Sequence, residues 1–109
     1  MKHVLALTAL SALSACAGGS GAPDGKSLFE AHCTTCHASG SGHPGTARLA
    51  IDMGADNAVL TERKNLSPEQ VTLAVRQGFQ MMPPFRQTEL SDAEVKAIAD
   101  WLANPSRKN

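Results

Sequence analysis

The sequence predicts an all-α domain of about four to five short helices, and three observations carry this prediction. Ser67 and Ser91 each begin a Ser-x-x-Gln or Ser-x-x-Glu pattern, the capping box that opens a helix. The apolar residues after each box recur at the spacing of one helical face. No segment shows the run of β-branched residues beside Gly-rich turns that is typical of a strand.

The first two predicted helices have the shorter signals. One begins near Asp24 and carries Phe29 toward a pair of cysteines. The next is expected over residues 47–53, with Thr46 as its start and Gly54 as its end. The segment that follows leaves a helical turn and a loop as open alternatives, over residues 56–65.

The last two predicted helices have complete start and stop signals. Ser67 caps one of them, Pro68 suits its first position, and Gly78 is expected to end it in a left-handed conformation. Ser91 caps the other, and Asn104 before a proline ends it. The residues predicted to be buried on these helices are Val71, Ala74, Val75, Val95, Ile98, Ala99 and Leu102.

Residues 1–15 are expected to be an export signal of the lipoprotein type. A positive start at Lys2 precedes the apolar run from Val4 to Leu13 and small residues up to Cys16. This run is shorter than the roughly 20 apolar residues that a transmembrane helix needs. The segment Leu13-Ser14-Ala15-Cys16 is similar to a bacterial lipoprotein box, in which Cys16 becomes the lipidated N-terminus. Cleavage of an ordinary signal peptide near Ala17 is the alternative.

Four segments follow from this interpretation. They are a signal at residues 1–15, a flexible Gly/Ala/Ser tether at 16–23, a folded domain at 24–104 and a C-terminal tail at 105–109. Without the signal, 9 basic side chains (10 less Lys2) face 10 acidic ones, a balance of −1. This balance offers no basic face, so no nucleic-acid partner is predicted.

The run Cys33-Thr34-Thr35-Cys36-His37 is the most informative segment of the chain. It has the Cys-x-x-Cys-His spacing at which a c-type haem is attached. Cys33 and Cys36 can each form a thioether to a haem vinyl group, and His37 can then reach the iron. The sequence therefore predicts one covalently bound haem c per chain.

Two other interpretations of this run stay open at the level of sequence. A Cys-x-x-Cys pair can be a thioredoxin-like redox site, although no βαβ pattern surrounds it here. A zinc site is the other interpretation, although adjacent cysteine and histidine residues fit two tetrahedral positions poorly. Its candidate ligands are Cys33, Cys36, His37 and either His43 or His32.

Residues 78–85, Gly-Phe-Gln-Met-Met-Pro-Pro-Phe, are predicted to form an extended loop. Its two consecutive prolines forbid a helix and favour extended backbone before them. Such a loop suits a methionine, Met82, that reaches an iron from the side opposite to a histidine. The alternative is that Met82 fills a gap in the core, as most methionines do.

In order and spacing, residues 24–104 resemble a small class I c-type cytochrome. The resemblance rests on a helix leading into the run from Cys33 to His37, a loop ending in Met82-Pro83, and a closing helix with Trp101. It implies that His37 is the proximal iron ligand and Met82 the distal one, because the distal methionine of this family directly precedes a proline. The alternative distal ligands are Met81, Met53 and His43.

The resemblance also implies two further contacts. Phe29 and Trp101 are expected to touch where the first and last helices cross. In this family a proline carbonyl accepts the second N–H of the proximal histidine, and Pro44 is assigned to that role for His37.

The resemblance implies a one-electron carrier with a redox donor and a redox acceptor, and not an enzyme. Short segments are also similar to the small cytochromes that pair with flavin-dependent dehydrogenases of the 4-cresol type: residues 43–46, 61–63, 75–78 and 82–85. A tightly bound subunit of such a flavoprotein is therefore the alternative to a free carrier. The expected location is the periplasmic side of a bacterial membrane, anchored through Cys16, with the soluble periplasm as the alternative.

Overall fold

The computed structural model describes Gly21 and residues 24–108, whose regular elements are helices. Five α-helices are named here in chain order: α1 Gly25–His32, α2 Thr34–His37, α3 Pro44–Met53, α4 Pro68–Gln77 and α5 Asp92–Ala103. Two short 3-10 helices cover Ala55–Asn57 and Pro105–Lys108. The predicted all-α fold class is confirmed. The predicted signal and Cys16 lie outside the described residues.

Both capping boxes form as predicted. Ser67 Oγ accepts from the Gln70 N–H at 3.2 Å, and Gln70 Oε1 accepts from the Ser67 N–H at 3.0 Å. Ser91 and Glu94 make the same reciprocal pair at the start of α5. Each box satisfies two of the donors that a helix start leaves without partners. Both helices therefore begin where the sequence indicates.

The hydrophobic core lies between α1, α4 and α5. Of the seven residues predicted to be buried on α4 and α5, six are buried and Ala74 is half-buried. The core cluster consists of Phe29, Val71, Val75, Leu90, Val95, Ile98, Ala99 and Leu102. Met82 and Trp101 are partly buried and pack against this cluster. The core therefore extends toward residues 78–85, which are called the methionine loop below.

α1 and α5 cross at close range, as the resemblance implies. The rings of Phe29 and Trp101 are 5.3 Å apart between centroids and tilted by 44°. A Cβ on Gly25 would lie 2.1 Å from the Ala97 carbonyl oxygen and 2.7 Å from Trp101 Cβ. Only a glycine at this crossing lets the two backbones approach so closely. The predicted contact between the first and last helices is confirmed.

Arg107, in the segment predicted as a C-terminal tail, packs against the domain. Its guanidinium lies 4.4 Å from the centre of the Trp101 ring system, a cation–π arrangement. It also donates to the carbonyl oxygens of Leu102 and Thr61, each at 2.8 Å. These contacts join the end of α5 to the segment between α3 and α4.

α3 begins three residues earlier than predicted, and this corrects the expected start at Thr46. Pro44 takes the first helical position, where its fixed φ suits the helix and its missing N–H costs nothing. Thr46 does not cap, because its buried hydroxyl donates to the Ala38 carbonyl oxygen at 2.7 Å. The ambiguous residues 56–65 form part of a 3-10 helix followed by turns.

The left-handed conformation predicted for Gly78, at the end of α4, is also corrected in part. Gly78 has a positive φ of 71°, as expected, but its ψ of 173° lies outside the left-handed helical region. A Cβ here would lie 2.5 Å from the Met82 carbonyl oxygen. Gly78 therefore turns the chain directly into the methionine loop.

Candidate functional site

Cys33, Cys36 and His37 lie on one short stretch of helical backbone. Cys33 follows α1, and its N–H donates to the Phe29 carbonyl oxygen at 2.8 Å. The Cys33 carbonyl oxygen accepts from the Cys36 N–H at 3.2 Å and from the His37 N–H at 2.8 Å. Residues three and four positions apart on a helix share one face. The helical backbone therefore places Cys36 and His37 each about one turn from Cys33.

The two thiols are free, and the surroundings of Cys33 do not stabilise its thiolate. Cys33 is half-buried and Cys36 is exposed. Burial raises the pKa of the Cys33 thiol to about 11, and the neighbouring Cys36 adds to this. Redox-active cysteines instead have a lowered pKa, because the thiolate is the reactive form. Within residues 24–108, no three His, Cys, Asp or Glu side chains converge to hold a metal ion.

His37 is a neutral imidazole held by packing. Burial lowers its pKa, and neutral imidazole is the form that binds metals. Its Nδ1 is buried and has no hydrogen-bond partner in the part of the chain that the structure describes. A Cβ on Gly45 would lie 2.7 Å from His37 Cε1 and 2.7 Å from the Cys36 carbonyl oxygen. Gly45 therefore leaves the space in which the ring sits.

The hydrogen bond expected between His37 and the Pro44 carbonyl does not form, which corrects that assignment. Pro44 lies in the first turn of α3. Helical carbonyls there accept from the amide four residues later, so the Pro44 carbonyl is directed along α3. The prediction treated Pro44 as a loop residue and could not anticipate this.

His43, an alternative iron ligand, contacts α2 through one of its two ring nitrogens. Its Nδ1 donates to the Thr35 carbonyl oxygen of α2 at 3.0 Å. Together with the bond from Thr46 to Ala38, this contact joins the start of α3 to α2. These two bonds therefore hold α3 against α2, the helix that carries Cys36 and His37.

The methionine loop contains a tight turn and is not extended throughout, which corrects the sequence prediction. The Met82 N–H donates to the Phe79 carbonyl oxygen at 2.8 Å, and the Phe79 N–H donates to the Met82 carbonyl oxygen at 3.1 Å. This pairing leaves Gln80 and Met81 as the two central residues of the turn. After the turn, the two prolines lie in residues 83–86, which have no regular structure.

The turn places the two adjacent methionines in different surroundings. Met81 is 90% exposed, whereas Met82 is half-buried against the core. Met81 occupies a central position of the turn and is exposed to solvent, whereas Met82 ends the turn and packs against the core. This difference distinguishes Met82 from Met81, the two neighbouring candidates for the distal iron ligand.

Arg63 is a candidate site residue that sequence reasoning did not select. It is only 8% exposed. Its Nε donates to Asn65 Oδ1 at 2.8 Å, and its Nη1 lies 3.7 Å from Met53 Sδ. In the part of the chain described here, no carboxylate lies within ion-pair distance of it. A buried cation requires a counter-charge, so Arg63 marks a place where an anionic group would be bound.

The sequence analysis named Arg63 only within the similar segment 61–63 and gave it no role, because its burial arises from the packing of the segment between α3 and α4. The same contact bears on Met53, another alternative iron ligand. The sulfur of Met53 is already contacted by the Arg63 guanidinium, and Met53 itself is 45% exposed. Neither feature favours it as a ligand.

Comparison with known families gives one match. The model of the family described as cytochrome C oxidase, cbb3-type, subunit III matches residues 20–102. The matched range includes α1 to α4, the methionine loop and nearly all of α5. No curated protein matches the chain. Among the described residues, no helix has the length and apolar character needed to span a membrane.

Proposed function

This chain belongs to the cytochrome c family of the cbb3-type oxidase subunit III, and on that premise we propose that Cys33 and Cys36 bind one haem c covalently. The family makes the protein a haem-based electron carrier rather than a catalytic enzyme. The observation that carries the proposal is the helical turn that holds both cysteines and the histidine, with Cys36 and His37 each about one turn from Cys33. When bound, the haem supplies an iron that takes up and releases one electron.

The residues of the site fit this group. The two thiols are free and three positions apart on a helical turn. Thioether formation consumes a thiol and leaves no charge behind, so the raised pKa of Cys33 is compatible with it. His37 would be the proximal ligand, since burial lowers its pKa and so favours the neutral ring, and Gly45 leaves the space that the ring occupies.

Met82 is proposed as the distal ligand. It is the methionine that packs toward the core, while Met81 is almost fully exposed. Of the remaining alternatives, Met53 has its sulfur in contact with Arg63, and His43 bonds to Thr35 through Nδ1, which leaves only its Nε2 for a metal. Histidine–methionine ligation raises the reduction potential, because a thioether favours the ferrous state.

Arg63 is proposed as the counter-charge of a haem propionate. Its guanidinium is buried and lacks a carboxylate partner within the described residues. A propionate would supply the missing anion and accept two parallel N–H bonds, the arrangement that guanidinium groups favour.

Removing the charge of Arg63 is expected to lower the reduction potential. A positive charge near the haem favours the electron-rich ferrous state, so Arg63→Gln should lower the potential by tens of millivolts, on the order expected for a partly buried charge. Potentiometric titration measures the shift. Lys64→Gln is the matched control, since it removes the same charge from the exposed neighbouring residue. Equal shifts in the two variants would contradict a specific pairing of Arg63 with a propionate.

The electron carrier is proposed to act on the periplasmic side of a bacterial membrane. The name of its family refers to a subunit of an oxidase, so association with a larger redox complex is the alternative to a free carrier. The flavoprotein partner that the sequence resemblance suggested has no support from the comparisons and stays a prediction. Affinity purification from membranes followed by mass spectrometry would distinguish an oxidase from a flavin-dependent dehydrogenase.

Membrane attachment through Cys16 is proposed from the sequence alone. Stable anchoring takes more than one acyl chain, and the diacylglyceryl group of a bacterial lipoprotein provides two. Cys16→Ser is expected to release the cytochrome into the soluble periplasmic fraction with an unchanged haem spectrum. Fractionation followed by immunoblotting and spectroscopy measures both properties. If the unaltered protein is already soluble, with an N-terminus at Gly18 or later, only the export signal survives.

A further inference from the structure

The methionine loop is attached to the rest of the domain on both sides of the site. On the α4 side, the Phe85 N–H donates to the Val75 carbonyl oxygen at 2.8 Å, and Arg76 donates to the Phe85 carbonyl oxygen at 3.1 Å. On the α3 side, Gln80 Nε2 donates to Asp52 Oδ2 at 3.4 Å. Among the described residues, this is the only hydrogen bond that joins residues 79–84 to another element. The tip of the loop is thus tied to α3 by one side chain.

Asp52 is a fixed acceptor for this bond. Arg48, one turn earlier on α3, donates from its Nε to the same Asp52 oxygen at 2.8 Å. The side chain of Asp52 is only 25% exposed. A carboxylate held by an ion pair on a helix loses little further freedom when it accepts a second bond. Gln80 therefore meets a preformed acceptor.

Gln80 has an unusual backbone conformation that allows this reach. Its φ is +52°, and in the described part of the chain no other residue except glycine has a positive φ. This region is disfavoured for a side chain such as glutamine, and it persists only where the surrounding contacts determine it. The conformation closes the turn between Phe79 and Met82, with Met81 exposed and Met82 half-buried. The strained residue and the inward methionine thus belong to one turn.

We propose that Gln80 is a positioning residue that ties the methionine loop to Asp52 and thereby sets how fast Met82 leaves the iron. This inference rests on the proposed function, because it requires Met82 to be the distal ligand. The loop cannot release Met82 outward without changing the turn that carries Gln80. The bond to Asp52 opposes that change, since it holds the tip against a rigid helix.

Displacement of Met82 by imidazole tests the proposal. Imidazole can bind the ferric iron only after Met82 leaves, so the limiting rate at saturating imidazole reports loop opening. Stopped-flow loss of the near-infrared sulfur-to-iron band follows this step in the full-length haem protein. Gln80→Ala and Asp52→Ala should each raise the limiting rate about three- to tenfold, the effect of one lost hydrogen bond. The limiting rate of the double variant should be no more than about twofold above that of either single variant, because both substitutions remove the same bond.

Two further variants serve as controls. Asp52→Asn keeps an acceptor oxygen and should stay within about twofold of the unaltered protein. Gln87→Ala removes the bond from Gln87 Nε2 to Asp92 Oδ2, which is 3.0 Å long and outside the loop, and should leave the rate unchanged. An Asp52→Asn rate as high as that of Asp52→Ala would overturn the proposal, because the bond would then not be what restrains the loop.

The remaining outcomes separate this inference from the proposed function. Unchanged rates in Gln80→Ala, or single effects that multiply in the double variant, would overturn the role of Gln80 and leave ligation by Met82 intact. If the unaltered protein lacks the near-infrared band, or if Met82→Ala keeps it, the proposed ligation is wrong, and the role of Gln80 falls with it.

Discussion

Replacing Met82 by alanine is expected to abolish the near-infrared band of the ferric protein and to lower its reduction potential. The band arises from a sulfur bound to the iron, so it disappears with the thioether. The potential falls because the ferrous state loses a ligand that favours it. Axial ligands set haem potentials over roughly 0.8 V, and a drop on the order of 0.1 V or more is expected here. Near-infrared absorption and potentiometric titration measure the two effects.

Met81→Ala is the matched control for this prediction. Met81 is the neighbouring methionine and is 90% exposed, so its loss should leave both the band and the potential unchanged. The reverse pattern, with the band lost in Met81→Ala and kept in Met82→Ala, would move the ligand to Met81. Such a result would also require the turn between Phe79 and Met82 to rearrange when the haem is bound.

Replacing Gly45 by alanine is expected to displace the imidazole of His37. The added Cβ would lie 2.7 Å from His37 Cε1 and 2.9 Å from its Nδ1, with the Cys36 backbone equally close. The Cys36 carbonyl belongs to the backbone and the His37 ring can move only by leaving its place, so we expect a loss of about 1–3 kcal/mol in the free energy of unfolding. The same substitution raises helix propensity by up to about 1 kcal/mol, so a net loss would identify the steric clash as its cause.

Urea unfolding and the low-spin haem spectrum measure the effect of Gly45→Ala. The spectrum should shift toward a high-spin ferric form, because His37 no longer sits in its ligating position. Gly42→Ala provides the control, since a Cβ there meets no atom within 4 Å. Its stability should change by less than about 0.5 kcal/mol, as for most surface substitutions. Equal behaviour of the two variants would contradict the role assigned to Gly45.

The helices with local start signals could be predicted from the sequence. Ser67 and Ser91 specify their helix starts through contacts with residues three positions ahead, and such short-range contacts are legible in a sequence. Thr46 offered a similar signal at α3, but its hydroxyl bonds to Ala38 instead. That bond depends on how α2 and α3 pack, which a local pattern does not contain.

The residues of the candidate site also divide into those that a local pattern predicts and those that depend on packing. The spacing of Cys33, Cys36 and His37 is local, and in the structure the three residues lie within one helical turn. The hydrogen bond predicted from His37 to the Pro44 carbonyl oxygen is wrong, because Pro44 lies in the first turn of α3. Arg63 was not selected at all, since its significance comes from being buried without a carboxylate partner among the described residues.

The intact mass of the denatured protein tests the central claim most directly. If Cys33 and Cys36 hold a haem through thioethers, the polypeptide mass should remain increased by one haem after unfolding and after extraction with acidified acetone. The spectrum of the extracted protein should keep its haem absorption, and Cys36→Ser should retain at most one thioether. A denatured chain at the mass of the polypeptide alone, with the haem recovered in the acetone, would contradict covalent attachment.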